Sequence, residues 1–392
     1  MVGSQTVSAT LLTRGIPSKS RNAGIDLLRG IAIVLVIFHH IGIRLPLAQT
    51  MLKPWLPKWI LGLLNFRGYQ AVFLFFVLSG FLIARQSITR WGSLRHLQLR
   101  AFYVRRAARI LPCLLLLLAV LSLLHWSGLG DYKIAGPGQS LGHALLSALG
   151  LHLNWYEGLT GYLPANWDVL WSLSIEESFY LAFPLLCLLL ARDWLLAPAL
   201  GIFALALPYW IATTQGSEIW QDKAYLPGFS AIALGVLGAM ITRWWTQPPR
   251  WLVYLLCGFG TAGLIGIFCA LAKIWPLLHE GSMLLLTISA ITLVLGFHWQ
   301  AATGSAWTLP GTKWLRSCGS TSYEIYLTHM FVIFPVFHLF RYFNPKDSYW
   351  AWTLYLPTVA LCWLLGWLVA RYLSTPADRW LRSRFLPCPP KV

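Results

Sequence analysis

The run Ile25-Asp-Leu-Leu-Arg-Gly-Ile-Ala-Ile-Val-Leu-Val-Ile-Phe-His-His-Ile-Gly-Ile43 is nearly all apolar. At 1.5 Å per residue it would form a helix of about 28 Å, long enough to cross the hydrocarbon core of a bilayer. Arg29 lies near one end of this run and the pair His39-His40 near the other. Ionisable side chains are costly in lipid, so we expect them to face a bundle interior or a watery cavity.

Arg29 and His40 are eleven residues apart. At roughly 100° per residue their directions differ by about 20°, so both project from one helical face, about 16 Å apart along the axis. His39 points about 80° away from Arg29. The spacing therefore predicts one face that carries Arg29 and His40 but not His39.

The composition is that of a polytopic membrane protein. Hydrophobic residues make up 57% of the 392 residues and charged residues 11%, and the mean hydropathy is +0.62. The net charge of +17 would suit a nucleic-acid partner. However, the basic residues cluster between apolar runs, as the positive-inside rule requires, so no nucleic-acid partner is expected. The seven cysteines form no CxxC pair and read as small apolar residues or reduced thiols, so no metal site is predicted.

The apolar runs predict an all-α fold with about ten transmembrane helices. Basic residues concentrate on one side, which places both termini in the cytoplasm. Residues 139–154 are too short to span comfortably and are interpreted as a re-entrant or interfacial helix on the outer side. We predict a cytoplasmic tail (1–24), a transmembrane domain (25–373) and a second cytoplasmic tail (374–392). The predicted spans are 25–43, 69–85, 105–124, 168–191, 194–212, 225–243, 251–272, 281–298, 321–340 and 350–373.

A group of arginines begins the third span. Arg105 and Arg109 are four residues apart and Arg106 and Arg109 three apart, which predicts one patch of guanidinium groups at the inner end of the helix. Arginine suits phosphate because its planar fork donates paired hydrogen bonds. Plain positive-inside anchoring explains the same residues equally well.

Two adjacent carboxylates, Glu176 and Glu177, lie within the fourth span. Ser172, Glu176 and Tyr180 share one helical face at four-residue spacing. A carboxylate in this setting could orient a histidine or receive a proton, or it could make a structural hydrogen bond to another helix.

Two further motifs combine polar and small residues inside spans. Ser79-Gly80 would allow a neighbouring helix to approach closely, and packing is favoured there over a nucleophilic role. Ser322, Tyr326 and His329 fall on one face of the ninth span. His329 is interpreted as a packed interhelical hydrogen bond or as a second polar residue of the site.

Five motifs in order resemble the acyltransferase family 3 membrane proteins. They are DLLRGIA with His40, FFVLSGFLI, FYVRRAARILP, WSLSIEESFYL and SYEIYLTH, and together they cover most of 25–373. The family's arginine and histidine in the first span correspond to Arg29 and His40, and its paired arginines to Arg106 and Arg109. Ser178 departs from the family, which often has glutamine at that position.

The resemblance implies transfer of an acyl group, usually acetyl, from cytoplasmic acyl-CoA to a hydroxyl of a cell-envelope carbohydrate or a lipid-linked glycan. Acyl-CoA would be a substrate, so no permanently bound cofactor is expected. Some relatives carry a fused extracytoplasmic hydrolase-like domain that this sequence lacks, which suggests action alone or with a separate extracytoplasmic partner. The expected location is the inner (cytoplasmic) membrane.

Combining both lines of reasoning, His40 is the expected general base or transient acyl carrier, and Glu176 is the second catalytic candidate. The expected substrate- and donor-binding residues are Arg29, Asp26, Arg105, Arg106, Arg109, Ser172, Tyr180 and His329. The alternative function is a transporter or flippase of a lipid-linked sugar, which would show inverted repeats and broken helices at the midplane.

Overall fold

The computed structural model describes residues 21–303 and 310–386, and within these ranges the chain is helical with no strand. Among the described residues, eight helices are long and apolar enough to cross a membrane, and the number is ten if each of two bent pairs counts as one span. The all-α, polytopic prediction is therefore confirmed. Cys388 and most of the predicted N-terminal tail lie outside the described residues.

Connections of unequal length join the helices. In chain order they are α1 (Ala23–Arg44), α2 (Lys58–Phe66), α3 (Gly68–Trp91), α4 (Leu99–Trp126), α5 (Leu141–Leu149), α6 (Leu153–Thr160), α7 (Leu170–Leu189), α8 (Asp193–Leu205) and α9 (Leu207–Thr213). They continue as α10 (Glu218–Lys223), α11 (Tyr225–Trp244), α12 (Arg250–Leu278), α13 (Gly281–Ala302), α14 (Lys313–Ser320), α15 (Ser322–Thr328), α16 (Met330–Phe343), α17 (Tyr355–Val369) and α18 (Thr375–Phe385). A π-helical turn (Ala370–Ser374) joins α17 to α18, so part of the predicted C-terminal tail is helical.

Two spans that the sequence suggested were continuous are bent. Helices α8 and α9 meet at 48°, and α15 and α16 meet at 46°. Pro208 opens α9, and its ring cannot continue the hydrogen-bond ladder of the preceding helix. At the second break, the His329 side chain donates to the Tyr326 carbonyl, and an inserted side chain of this kind is a common cause of a bend. The bend therefore fixes the position of a histidine within a span.

Close backbone contacts hold the first and third helices in the bundle. A Cβ atom on Gly30 would lie 1.9 Å from the Leu315 carbonyl oxygen, so α1 and α14 touch through their backbones. A Cβ atom on Gly80 would lie 2.0 Å from the Ile232 carbonyl oxygen, which brings α3 against α11 in the same way. The close helix approach predicted for Ser79-Gly80 is confirmed at Gly80.

The segment between α4 and α7 contains two short helices where the sequence suggested one. Helix α5 is capped by the Ser140 side chain, which accepts a hydrogen bond from the His143 backbone amide. The chain then turns at Leu151, which has a φ of 59°, and α6 follows. This left-handed residue interrupts what the apolar pattern at 139–154 had indicated as a single helix.

Candidate active site

A cavity of about 110 Å³ lies inside the bundle, between α1, α3, α7 and α15. Most of its wall is apolar and is formed by side chains such as Val72, Phe76 and Leu173. Polar groups interrupt this wall at Arg29, Ser79, Ser172, Glu176, Ser322 and Tyr326. Three of the predicted site residues, Arg29, Ser172 and Glu176, thus line one space.

The Arg29 guanidinium enters this cavity with most of its donors unused. Its terminal nitrogen donates to Ser322 Oγ at 2.8 Å, and no carboxylate of the described chain pairs with it. Asp26, expected beside Arg29, instead accepts two hydrogen bonds from Arg21 at 2.9 and 2.7 Å. A partly buried guanidinium that contacts no carboxylate is suited to an anionic or strongly polar ligand in the cavity.

Glu176 is the centre of a hydrogen-bond cluster on the same cavity. Its Oε1 atom accepts from the Tyr180 hydroxyl at 2.9 Å and also from Ser79 Oγ. The structure thus brings Glu176 and Tyr180 together, as their spacing predicts. Ser178 makes only a long contact, 3.5 Å, to the Leu151 carbonyl, so Ser79 and Tyr180 provide the hydrogen bonds of Glu176.

The neighbouring carboxylate points elsewhere. Glu177 pairs with Arg106 at 2.7 Å, and the Arg106 guanidinium stacks 3.8 Å from the centre of the Tyr180 ring. Arg106 also lies 3.7 Å from Glu176. The two carboxylates therefore share one arginine, but only Glu176 faces the cavity.

The three arginines that were expected to form one patch have three separate surroundings. Arg109 makes two hydrogen bonds, of 2.6 and 3.2 Å, to the fully buried Glu324. Arg106 binds Glu177, and Arg105 lies within electrostatic range of Arg90. A role in phosphate binding stays a prediction for all three. Sequence analysis missed Glu324, although a carboxylate inside the motif SYEIYLTH was a usable signal.

Beyond the cavity, two histidine rings lie side by side. The ring centroids of His40 and His329 are 5.0 Å apart. His329 is fully buried, and its Nδ1–H donates to the Tyr326 carbonyl at 2.6 Å. Its Nε2 atom is buried and finds no hydrogen-bond partner in the described chain. Because a carbonyl can only accept, Nε2 carries the free lone pair, which gives the pair a buried base.

Tyr326 joins the histidine pair to the cavity. Its carbonyl fixes the ring of His329, and its hydroxyl accepts a hydrogen bond from Ser172 at 2.7 Å. Since Arg29, Ser172 and Tyr326 all line the cavity, polar groups border this space from Arg29 to the residue that holds His329. This end of the site was only partly expected, because the bend that places His329 is not visible in the sequence.

His39 has a different environment from His40. Its Nδ1–H donates to the Asn65 carbonyl at 2.9 Å, and its ring covers Gly68, where a Cβ atom would lie 2.4 Å from the imidazole. The helical-face prediction is confirmed in this respect: His39 is held between α1, α2 and α3, whereas His40 faces His329.

A membrane-spanning bundle that encloses an arginine, a glutamate and a histidine pair defines a class of integral membrane proteins with a buried polar site. Comparison with known families is more specific. The family model described as "Acyltransferase domain" matches residues 22–370. The chain therefore belongs to this family, and the resemblance drawn from the five motifs is confirmed.

The relatives have O-acetyltransferase names. Peptidoglycan O-acetyltransferase OatA of Listeria monocytogenes is 26% identical over 90% of this chain and 55% of its own length. A Staphylococcus aureus protein provisionally named as an O-acetyltransferase is 24% identical over 93% of this chain and 59% of its own length. A Bacillus subtilis protein, YrhL, provisionally named as a peptidoglycan O-acetyltransferase, is 25% identical over 90% of this chain and 54% of its own length. The chain thus spans little more than half the length of these relatives. No solved structure matches it.

Proposed function

We propose that this protein transfers an acyl group, acetyl in the first instance, from cytoplasmic acyl-CoA to a hydroxyl of a cell-envelope carbohydrate. The observation that carries the proposal is the line of polar groups from Arg29, through the cavity, to the pair of His40 and His329. Family membership and the names of the relatives support the reaction class.

The donor end is assigned to Arg29. An acyl-CoA molecule has phosphates at one end and a thin arm that ends in a thioester at the other. The unused donors of Arg29 suit the polar groups of that arm as it enters the cavity. Arg106 and Arg109, which hold Glu177 and Glu324, would shape the entrance, while Arg105 would meet the nucleotide phosphates at the predicted cytoplasmic surface.

The acceptor end is assigned to His40. As general base, its imidazole would take the proton of the acceptor hydroxyl while the hydroxyl oxygen attacks the thioester carbonyl carbon. The carbon–sulfur bond then breaks, and the CoA sulfur leaves with the electron pair and takes up a proton. The free Nε2 atom of His329, beside His40, is a second place to hold that proton. Glu176 lies nearer Arg29, where its carboxylate can balance the charge of the donor site.

A reconstitution experiment tests this proposal. Purified protein in lipid vesicles receives acetyl-CoA labelled in the acetyl group on one side and peptidoglycan fragments on the other. We expect labelled ester on the carbohydrate. Passage of a sugar across the bilayer without any acyl product would instead support the transporter alternative. That alternative is tested because the two bent spans resemble the broken helices of transporters.

Location and orientation belong to the same proposal. Transfer from acyl-CoA requires the Arg29 end to face the cytoplasm. The basic residues predict the same orientation, with both termini on the cytoplasmic side of the inner membrane. A single cysteine introduced at Gly130 should react with a membrane-impermeant reagent in intact cells. If a cysteine at Gly130 is protected and a cysteine introduced at Arg95 is labelled, the orientation is the opposite of the one proposed.

A further inference from the structure

The first span and the bent ninth span pack against each other and touch at successive levels of the bundle. Arg29 donates to Ser322 at 2.8 Å. Further along α1, the rings of His40 and His329 lie 5.0 Å apart. A third contact follows at the predicted outer end, where Arg44, the last residue of α1, meets α16. The histidine pair thus lies between two arginines of the same helix, and the proposed reaction leaves the outer one without a role.

Arg44 is held close to the histidine pair by two contacts. Its Nη1–H donates to the His40 backbone carbonyl at 2.9 Å, one helical turn back along α1. Its guanidinium carbon lies 4.4 Å from the centroid of the Phe334 ring, which belongs to the helix that begins after His329. Four residues correspond to about 6 Å along a helix axis. A group bound by Arg44 would therefore lie about one turn outward of His40.

No carboxylate among the described residues pairs with Arg44. A guanidinium carries five N–H donors, and the bond to the carbonyl of its own helix is the only hydrogen bond that the Arg44 side chain makes within the described chain. The carboxylates whose charge reaches Arg44 belong to Asp131 and Asp168. Each of them is already engaged, since Asp131 bonds to His338 and Asp168 to Lys223. Arg44 therefore keeps donors that suit an oxyanion from outside the protein.

A narrow cleft adjoins Arg44 between α1, α16 and α17. Its volume is about 10 Å³, and its wall includes Ile333, Phe337 and Thr358 in addition to Arg44. A space of this size holds one water-sized group. A sugar ring would therefore stay outside the cleft, whereas one oxygen of a carboxylate or a phosphate fits there beside the guanidinium.

We propose that Arg44 binds the acceptor and selects an acidic carbohydrate, one that carries a carboxylate or a phosphate close to the hydroxyl that is acylated. The oxyanion would accept charge-assisted hydrogen bonds from the remaining N–H groups of Arg44. A hydroxyl of the same molecule would then lie one helical turn inward, at His40. This inference rests on the proposed function for the choice of His40 as the reacting end, and it adds the charge class of the acceptor.

Capping of α1 is the simpler role for an arginine at this position, because a basic side chain near a helix C-terminus interacts favourably with the last carbonyls. The two roles differ in their consequences. Loss of a cap would alter the end of α1 and would affect charged and neutral acceptors alike. Loss of an anion-binding arginine would weaken the binding of charged acceptors only.

Binding measurements on the full chain in lipid nanodiscs, without acyl-CoA, test the inference. Two pairs of probes are compared: trigalacturonate with its full methyl ester, and N-acetylglucosamine 1-phosphate with N-acetylglucosamine. We expect wild type to prefer the charged member of at least one pair, and that pair shows whether the recognised group is a carboxylate or a phosphate.

Two substitutions at Arg44 separate its charge from its contact with the helix. Arg44→Gln removes the charge but keeps an amide donor for the His40 carbonyl. It should weaken binding of the preferred charged probe about 10- to 100-fold, as expected for a lost charge-assisted hydrogen bond, and leave binding of the neutral partner unchanged. Arg44→Lys keeps the charge but not the planar fork and should retain part of the preference.

Arg67→Gln is the matched control. Arg67 is also a partly buried arginine at the predicted outer side, and it donates to a backbone carbonyl, that of Phe268, at 3.2 Å. No carboxylate of the described chain pairs with it, but it contacts α12 and not α16. Its replacement removes one positive charge from the same side of the protein and should change none of the affinities.

The outcomes separate the anion site from the reaction. The inference is overturned if wild type binds no probe or binds both members of each pair equally. It is also overturned if Arg44→Gln keeps the preference or weakens both members of a pair to the same extent. If Arg44 selects the charged probe but no labelled ester forms in the reconstituted vesicles, the transferase proposal fails and the anion site stands.

Discussion

The imidazole rings of His40 and His329 lie with their centroids 5.0 Å apart, although one belongs to the first span and the other to the bent ninth span. The His329 ring is oriented by its hydrogen bond to the Tyr326 carbonyl, and His40 projects from α1 toward it. Two neighbouring imidazoles offer two basic sites for a proton, whereas one histidine offers a single site.

Replacing His40 with alanine should abolish acyl transfer and leave acyl-CoA binding intact, because the donor site at Arg29 is about 16 Å away along α1. Loss of a general base costs about 10² to 10⁴ in rate. His39→Ala is the internal control, since His39 bonds to the Asn65 carbonyl and not to His329. The acyl-transfer rates of the two variants are compared at matched amounts of protein in the membrane. Essential His39 with dispensable His40 would contradict the helical-face assignment.

Replacing His329 with asparagine should preserve the hydrogen bond to the Tyr326 carbonyl but remove the free base nitrogen. If Nε2 of His329 takes part in proton transfer, the turnover rate falls by about 10² or more while KM for acyl-CoA stays constant. A purely structural histidine would tolerate this change, because the asparagine amide can donate to the same carbonyl. Turnover close to wild type would therefore return His329 to a packing role.

Much of this arrangement could be predicted from the sequence, and the reason is periodicity. Arg29 and His40 share a face because helical geometry is regular, and Ser172, Glu176 and Tyr180 follow the same rule. Apart from the contact of Tyr180 with Glu176, the partners of these residues were not predictable, since they come from helices distant in sequence. Arg109 bonds to Glu324 instead of forming a patch with Arg106, and only three-dimensional packing decides this.

Breaks in helices were the second feature that could not be predicted from the sequence. The bend lies at His329, whose side chain bonds to the backbone, and Pro335 stands six residues further on, so no residue type marks the position of the bend. The ion pairs of Lys223 with Glu157 and Asp168 were not predictable for a related reason: these residues lie in loops and short helices with no periodic pattern. Their basic and acidic residues read as topology signals until the fold brought them together.

Replacing Gly30 with alanine should destabilise the bundle, because the new Cβ atom would lie 1.9 Å from the Leu315 carbonyl oxygen. Overpacking of this kind costs about 1–3 kcal/mol, and backbone contact leaves α1 little room to relax. Gly258→Ala on α12 is the control, since its Cβ atom would meet no atom within 4 Å. The unfolding midpoint in detergent should fall for the first variant only. Equal midpoints would contradict the close contact of α1 with α14.

Replacing Arg29 with glutamine should raise KM for acyl-CoA by about 10- to 100-fold, the equivalent of one lost charge-assisted hydrogen bond. Arg29→Lys keeps the charge but not the planar fork and should recover part of this loss. Arg192→Gln, at an exposed arginine after α7, serves as the control. Isothermal titration with CoA and with acyl-CoA gives the affinities directly. Unchanged donor affinity in Arg29→Gln would remove Arg29 from the donor site.

The pairing of Arg109 with Glu324 leads to a prediction about stability. Glu324 is fully buried and both of its oxygens bind Arg109. Arg109→Ala would leave that carboxylate buried and unpaired, which costs about 3 kcal/mol. The variant should therefore lower the unfolding midpoint as well as any affinity for CoA, so a loss of binding in Arg109→Ala cannot by itself identify a phosphate ligand.

A double-mutant cycle separates the two contributions. Glu324→Gln removes the charge that Arg109 balances, so the combination Arg109→Ala with Glu324→Gln should recover part of the stability lost in Arg109→Ala. If Arg109 serves only to pair with Glu324, CoA affinity should recover together with the unfolding midpoint. If Arg109 also contacts the phosphates, the midpoint should recover while CoA affinity stays low, since no partner replaces the guanidinium. Additive losses of stability in the cycle would show that the two side chains do not interact, and the assignment of Arg109 to Glu324 would then be wrong.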